Sequence, residues 1–219
     1  MRFFLFSFVL TSCLSSPHFQ GARTLSENCS SFYGGIGPSG IHFDGANKDV
    51  EVAQLQKNFQ SFFSPSFFVG GRYGVLSDMD VGVEFSVPGR FSVDGKYTAW
   101  ASGPYAFGLG LGTGFMQWNV KETRTTVSHI LLPLYANYDI SSSIGVFTGI
   151  RYQHEFMNTT DASDSESVQR NQISSIIYSL GSHFRSIYGE IQISDPLRAS
   201  YPLWNFAIGI NFDGGLYDL

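Results

Sequence analysis

Alternation of apolar with small or polar residues runs through most of this chain, and it constrains the fold more than any other feature. Met79, Val81, Val83, Phe85 and Val87 share one parity, opposite Asp80, Gly82, Glu84 and Ser86. From Ile144 to Phe156 the apolar set is Ile144, Val146, Ile150, Tyr152 and Phe156, facing away from Gly145, Gly149, Arg151, Gln153 and Glu155. Trp204, Phe206, Ile208, Ile210 and Phe212 oppose Asn205, Ala207, Gly209 and Asn211. Between Phe107 and Phe115 every second residue on the other side is glycine: Gly108, Gly110, Gly112 and Gly114. A period of two belongs to strands, whose successive side chains point to opposite faces. Helical periodicity is nearly absent.

Alternation does not say which face is inside, because a soluble barrel carries the same pattern turned inside out. The lysines break the tie. Lys48, Lys57, Lys96 and Lys121 all fall in expected connections, and charged residues make up 14% of the chain against about 25% in soluble proteins. The polar face is instead Gly, Ser, Asn and Gln with a few Arg and Glu, which suits a crowded lumen. Arg72, Glu84, Arg151 and Glu190 lie on that parity. On a lipid face each Arg would cost about 2 to 4 kcal/mol near the midplane; inside, the two signs are expected to pair as a lumen ion network. Tyr33, Phe43, Tyr138, Trp204 and Phe212 stand near strand ends, where interfacial aromatic girdles occur. The predicted fold is therefore all-β, a membrane-spanning antiparallel up-and-down barrel.

Turns set the strand number. Short polar turns are expected at Leu76 to Asp78, Asp139 to Ser143 and Phe184 to Ser186, and long polar connections at Asp44 to Gln60 and Asn158 to Asn171. If the short turns share one side of the membrane, an even number of strands separates them. An Asp94-Gly95 hairpin, followed by a strand from Lys96 to Ser102, restores an even count and predicts ten strands. Eight is the alternative, with Lys96 to Pro104 as loop.

The beginning of the chain reads as targeting sequence: Arg2, then a largely apolar run from Phe3 to Leu14, too short to span a bilayer as a helix. The expected division is a signal peptide over 1–22, a lead-in over 23–30, a barrel over 31–212 and a tail over 213–219. Leu10-Thr11-Ser12-Cys13 resembles the lipobox of bacterial lipoproteins, which would make Cys13 a lipidation site. An ordinary signal peptide containing a Cys is the preferred reading. Cleavage leaves Cys29 alone, so no disulfide or thiol-based site is expected.

From Ser31 to Phe212 the pattern resembles the small outer-membrane β-barrel proteins of the OmpA-like and OmpW-like kind. The Phe32-Tyr33-Gly34-Gly35 opening, the Gly-rich 108–114 segment and the closing 204–212 strand carry the likeness. It implies residence in a bacterial outer membrane, contact with its lipid and lipopolysaccharide, and insertion by the barrel-assembly machinery. Such proteins commonly end on an aromatic residue, whereas this one continues from Asp213 to Leu219.

Candidate chemistry is sparse. His154 resembles the His of outer-membrane lipid A deacylases, but where their Ser follows two positions later this chain has Phe156, leaving no nucleophile. His154, Asp161 and Asp164, or His42 beside Asp44, are read as rim groups rather than protease sites. His129 and His183 share the polar parity and are expected in the lumen. The acidic 161–166 loop lacks the spacing of a calcium loop. Net charge of −5 and the absence of any basic run exclude a nucleic-acid partner. No catalytic residue, metal or cofactor is expected. The function expected is a non-enzymatic barrel with a lumen largely filled by its own side chains, acting structurally or through its outer loops. A narrow channel or small-ligand barrel, an outer-membrane lipid-modifying enzyme or protease, and a secreted lipocalin-like barrel are the alternatives.

Overall fold

The computed structural model describes residues 21–41, 62–87, 89–120, 123–161, 168–194 and 203–213. Cys13, the loop 42–61, the acidic residues 162–167 and the tail beyond Asp213 lie outside them, as does the signal peptide except for Gly21 and Ala22. The strands are β1 (Ser30–Ile41), β2 (Phe62–Leu76), β3 (Met79–Val87), β4 (Arg90–Ser102), β5 (Tyr105–Val120), β6 (Thr123–Ser141), β7 (Ile144–Asp161), β8 (Val168–Phe184), β9 (Ile187–Ser194) and β10 (Leu203–Asp213). Each pairs antiparallel with its chain neighbours, and β1 pairs with β10, so the sheet closes on itself with no edge. Closure gives every strand a partner on both sides, a necessity where lipid offers none. The count is ten, and the eight-strand alternative falls.

The hairpins joining β2 to β3, β4 to β5, β6 to β7 and β8 to β9 are short, at Ser77-Asp78, Gly103-Pro104, Ser142-Ser143 and Arg185-Ser186. They share one end of the barrel with the segment leading into β1. The strand ends Ile41 and Phe62, Asp161 and Val168, and Ser194 and Leu203 fall at the other end. β7 and β8 reach further toward that end than expected, pairing Asn158 with Arg170 and Thr160 with Val168 across part of what reads as loop in the sequence.

Two sequence expectations are corrected here. The β3–β4 reversal is not at Asp94-Gly95 but at Gly89, whose φ is +117° and whose N–H donates to Ser86 O at 2.7 Å. Gly carries a positive φ without steric cost, while Asp94 is held inside β4 by a cation on another strand. Lys96 accordingly sits within β4, buried in the lumen, and not in a connection. Tyr33 is the second: it points inward, 5% exposed, rather than into a girdle, because its hydroxyl reaches Glu84. Tyr138 and Phe212 do face outward.

Parity sorts the two surfaces cleanly. Val81, Val83, Phe85, Leu109, Leu132, Ile150, Leu180 and Ile208 are exposed, while Asp80, Glu84, Arg151 and Glu190 are buried. In a water-soluble barrel the apolar set would be the buried one. Here it forms the outer wall, an apolar band of the kind that faces lipid acyl chains. Val83 is the central residue of the 9 in β3 and stands near mid-span. Val83→Arg is expected to cost about 2 to 4 kcal/mol, read from urea titration of the protein folded into lipid vesicles. A change under half that would place this wall in water.

Candidate functional site in the lumen

The lumen is a stack of side chains whose neighbours are dictated by strand register. Arg72 on β2 pairs in register with Gly82 on β3, and Gly82 with Asp94 on β4. The Arg72 guanidinium therefore lies across Gly82: its Nε donates to Asp80 Oδ1 at 2.7 Å, and its Nη1 to Asp94 Oδ2 at 2.8 Å. A Cβ at position 82 would meet Arg72 Nη1 at 2.5 Å. Asp80 is fully buried, and its second oxygen faces Lys96 Nζ at 3.5 Å. One guanidinium, two carboxylates and one ammonium thus form a compact cluster across β2, β3 and β4.

The residues predicted for the ion network all face inward and are buried, but the carboxylates bonded to Arg72 are Asp80 and Asp94. Glu84 instead accepts the Tyr33 hydroxyl at 3.3 Å, with the Tyr33 ring lying over Gly70 on the intervening strand. On β9 Gln192 Nε2 donates to Glu190 at 2.8 Å, and on β7 Gln153 Nε2 donates to Glu155 at 2.6 Å. Arg90 Nη2 meets His129 Nε2 at 3.0 Å, with the His129 ring over Gly114. These groups fill the half of the lumen away from the short turns. Asp80 was legible as inward from its parity. Asp94 and Lys96 were missed because an Asp-Gly pair reads as a turn when its strand partners are unknown.

Toward the turns the lumen widens into a cavity of about 630 Å³. Phe147, Tyr188 and His183 line one side of it, and Arg23, Leu25, Arg72, Asp80 and Lys96 another. His183 stacks on Tyr188 with centroids 5.3 Å apart, and its Nε2 lies 4.0 Å from Asp139.

On the outer wall, His154 and Ser174 are register partners on β7 and β8, and His154 Nδ1 lies 2.8 Å from Ser174 Oγ. Tyr152 OH also donates to that oxygen at 3.2 Å. A serine therefore stands beside His154 on the next strand, although none follows it two positions later in the sequence. A Ser–His contact is the first half of an activated nucleophile. Among the described residues, however, no carboxylate orients the ring, which packs edge-on against Phe156 at 4.5 Å. The described residues also hold no group of three or more His, Cys, Asp or Glu able to ligate a metal.

A closed, edgeless sheet with an apolar outer wall, a polar interior and short turns at one end defines an outer-membrane β-barrel. No protein-family model and no curated protein matches the chain. Solved structures similar to it are small outer-membrane barrels. Ail, the attachment invasion locus protein of Yersinia pestis, is 11% identical with a TM-score of 0.40, over 85% of this chain and 99% of that one. The N-terminal barrel of Pseudomonas aeruginosa OprF is 9% identical at 0.30, over 86% and 100%. The Escherichia coli outer membrane protease OmpT is 8% identical at 0.46, over 88% and 100%.

The Arg72 cluster has a measurable consequence. Arg72→Met leaves the buried Asp80 and the half-buried Asp94 facing Lys96 as the cation of the cluster. The expected loss is about 3 kcal/mol, the low end of the range for breaking a buried pair, since water can reach the cavity beside it. Arg72→Met combined with Asp94→Asn should cost less than the two single losses added together. Strict additivity in urea unfolding would show that the two side chains do not interact.

Proposed function

We propose that this chain is a non-enzymatic outer-membrane barrel, closed by its own side chains and working structurally or through the connections at the end away from the short turns. The observation that carries this reading is the plug of buried polar side chains in mid-lumen: Glu84, Arg90, Arg151, Gln153, Glu190 and Gln192 are each at most 6% exposed. Barrels of about eight strands have interiors just wide enough for side chains to fill, and ten adds little. Its apolar wall would lie in outer-membrane lipid, with lipopolysaccharide around the far end, after insertion by the barrel-assembly machinery. In a planar bilayer the purified protein should give no steady unitary conductance. Stable ion-conducting steps that disappear on blocking the lumen would overturn the closed-barrel reading in favour of a channel.

A second reading, a barrel that binds a small ligand from the turn side, is favoured by the 630 Å³ cavity and its aromatic wall. The enzyme alternative rests on His154 and Ser174. Ser174→Ala is expected to leave the acyl-chain pattern of outer-membrane lipids unchanged, as read by mass spectrometry of cells making either form. An acylated lipid species that accumulates only in the Ala variant would make the pair catalytic.

A further inference from the structure

Residues 21–29, just ahead of β1, do not hang free of the barrel. Segment 21–29 runs inside the turn-side mouth, along the inner wall past β6, β5, β4, β3 and β2, before it turns into β1. Lumen side chains hold its backbone. Ala22 N–H donates to Asn137 Oδ1 at 3.0 Å, Thr24 N–H to Thr98 Oγ1 at 2.9 Å and Leu25 N–H to Asp80 Oδ2 at 3.1 Å. In return Thr98 Oγ1 donates to Ala22 O at 2.9 Å, and Lys96 Nζ to Arg23 O at 2.6 Å and Gly21 O at 3.2 Å. Inward glycines clear the track: a Cβ at Gly108 would meet Ala22 O at 2.8 Å, and one at Gly74 would collide with Ser26 O.

This arrangement is a receptor for extended backbone rather than incidental packing. A buried connecting segment must have its N–H and C=O groups satisfied, and here the partners are charged or polar side chains set on three strands, β3, β4 and β6. Lys96 is 5% exposed and Asp80 fully buried, and each spends part of its hydrogen-bonding capacity on the segment. Side-chain identity enters at few positions. Ala22 is fully buried and admits only a small residue, Leu25 is buried, and Arg23 donates to Asp139 at 2.6 Å and to Gly103 O at 2.5 Å.

We propose that the turn-side half of the lumen is a binding site for an extended peptide bearing a small residue followed by a cation, and that residues 21–25 of this chain occupy it in cis, which sets the end of the signal peptide before Gly21 rather than after Ala22. Gly21, Arg23 and Leu25 form part of the cavity wall, so release of the segment enlarges the cavity and exposes Lys96 and Asp80 to the turn side. This goes beyond the closed-barrel reading and does not depend on it, since the site lies between the mid-lumen plug and the turns.

The test uses the folded full chain and a fluorescent peptide with the sequence of residues 19–28. Ala22→Pro with Leu25→Pro removes two of the donated N–H groups without touching a strand. Fluorescence anisotropy should show the peptide binding this double variant at least tenfold more tightly than the wild type, whose own segment competes at high effective concentration. Adding Lys96→Met should weaken that binding about tenfold. No binding to the folded double variant, or equal binding to both proteins, overturns the proposal. If the double variant does not fold, hydrogen exchange in the wild type decides. The amides of Ala22, Thr24 and Leu25 should be protected at least a hundredfold over a free chain, and exchange at the free-chain rate removes the docked segment altogether.

Discussion

Everything inside this barrel depends on one steric constraint: ten strands enclose too little width for bulky side chains to meet head-on. They lie sideways, across a neighbouring strand, and each needs a gap there. Arg72 crosses Gly82 to reach Asp94, Tyr33 crosses Gly70 to reach Glu84, and the His129 ring covers Gly114. In each case the glycine is the register partner of the crossing residue. Register, glycine placement and polar pairing are therefore a single device. A slip of one residue would put the glycine on the wrong face and leave the guanidinium without its carboxylates.

The outer surface answers to a different solvent. Its apolar side chains gain nothing from one another and everything from being away from water, so the requirement there is only that charge be absent. Buried ions inside need specific partners, because an unpaired charge in a restricted interior is costly. The two faces of each strand thus carry different amounts of information. Outward positions tolerate any apolar residue, whereas inward positions are tied to residues on two adjacent strands.

That difference explains what was legible in the sequence. Parity, which needs only a period of two, set Val81, Val83 and Phe85 apart from Asp80, Glu84, Arg151 and Glu190, and the scarcity of charge along the strands decided which set faces out. The strand number came from an even-odd argument that held although one reversal was misplaced: Asp94-Gly95 has turn chemistry, yet Arg72 on a different strand claims the aspartate. Tyr33 was read as a girdle residue because the parity of its short strand mixes aromatics with glycines, and only the partner Glu84 shows which side is inside. The Ser174 partner of His154 lies on another strand and has no local signal. The docked segment 21–29 has none either, because its recognition runs from side chains of distant strands to its backbone, and the backbone is the same in every sequence.

The lumen is consequently divided by the kind of bond that fills it. Away from the turns, side chains anchored on strands bond to one another, as Gln153 does to Glu155 and Arg90 to His129, and none can leave without unfolding the wall. Near the turns, much of the bonding runs from wall to segment. A segment fixed at one end by β1 can be withdrawn while the closed sheet keeps all of its strand pairing. Local opening draws on the least costly part of a structure, and the wall-to-segment bonds beside the cavity are ones that can break without breaking strand pairing. The strength of the wall and the docking of the segment are separable because the sheet closes without the segment.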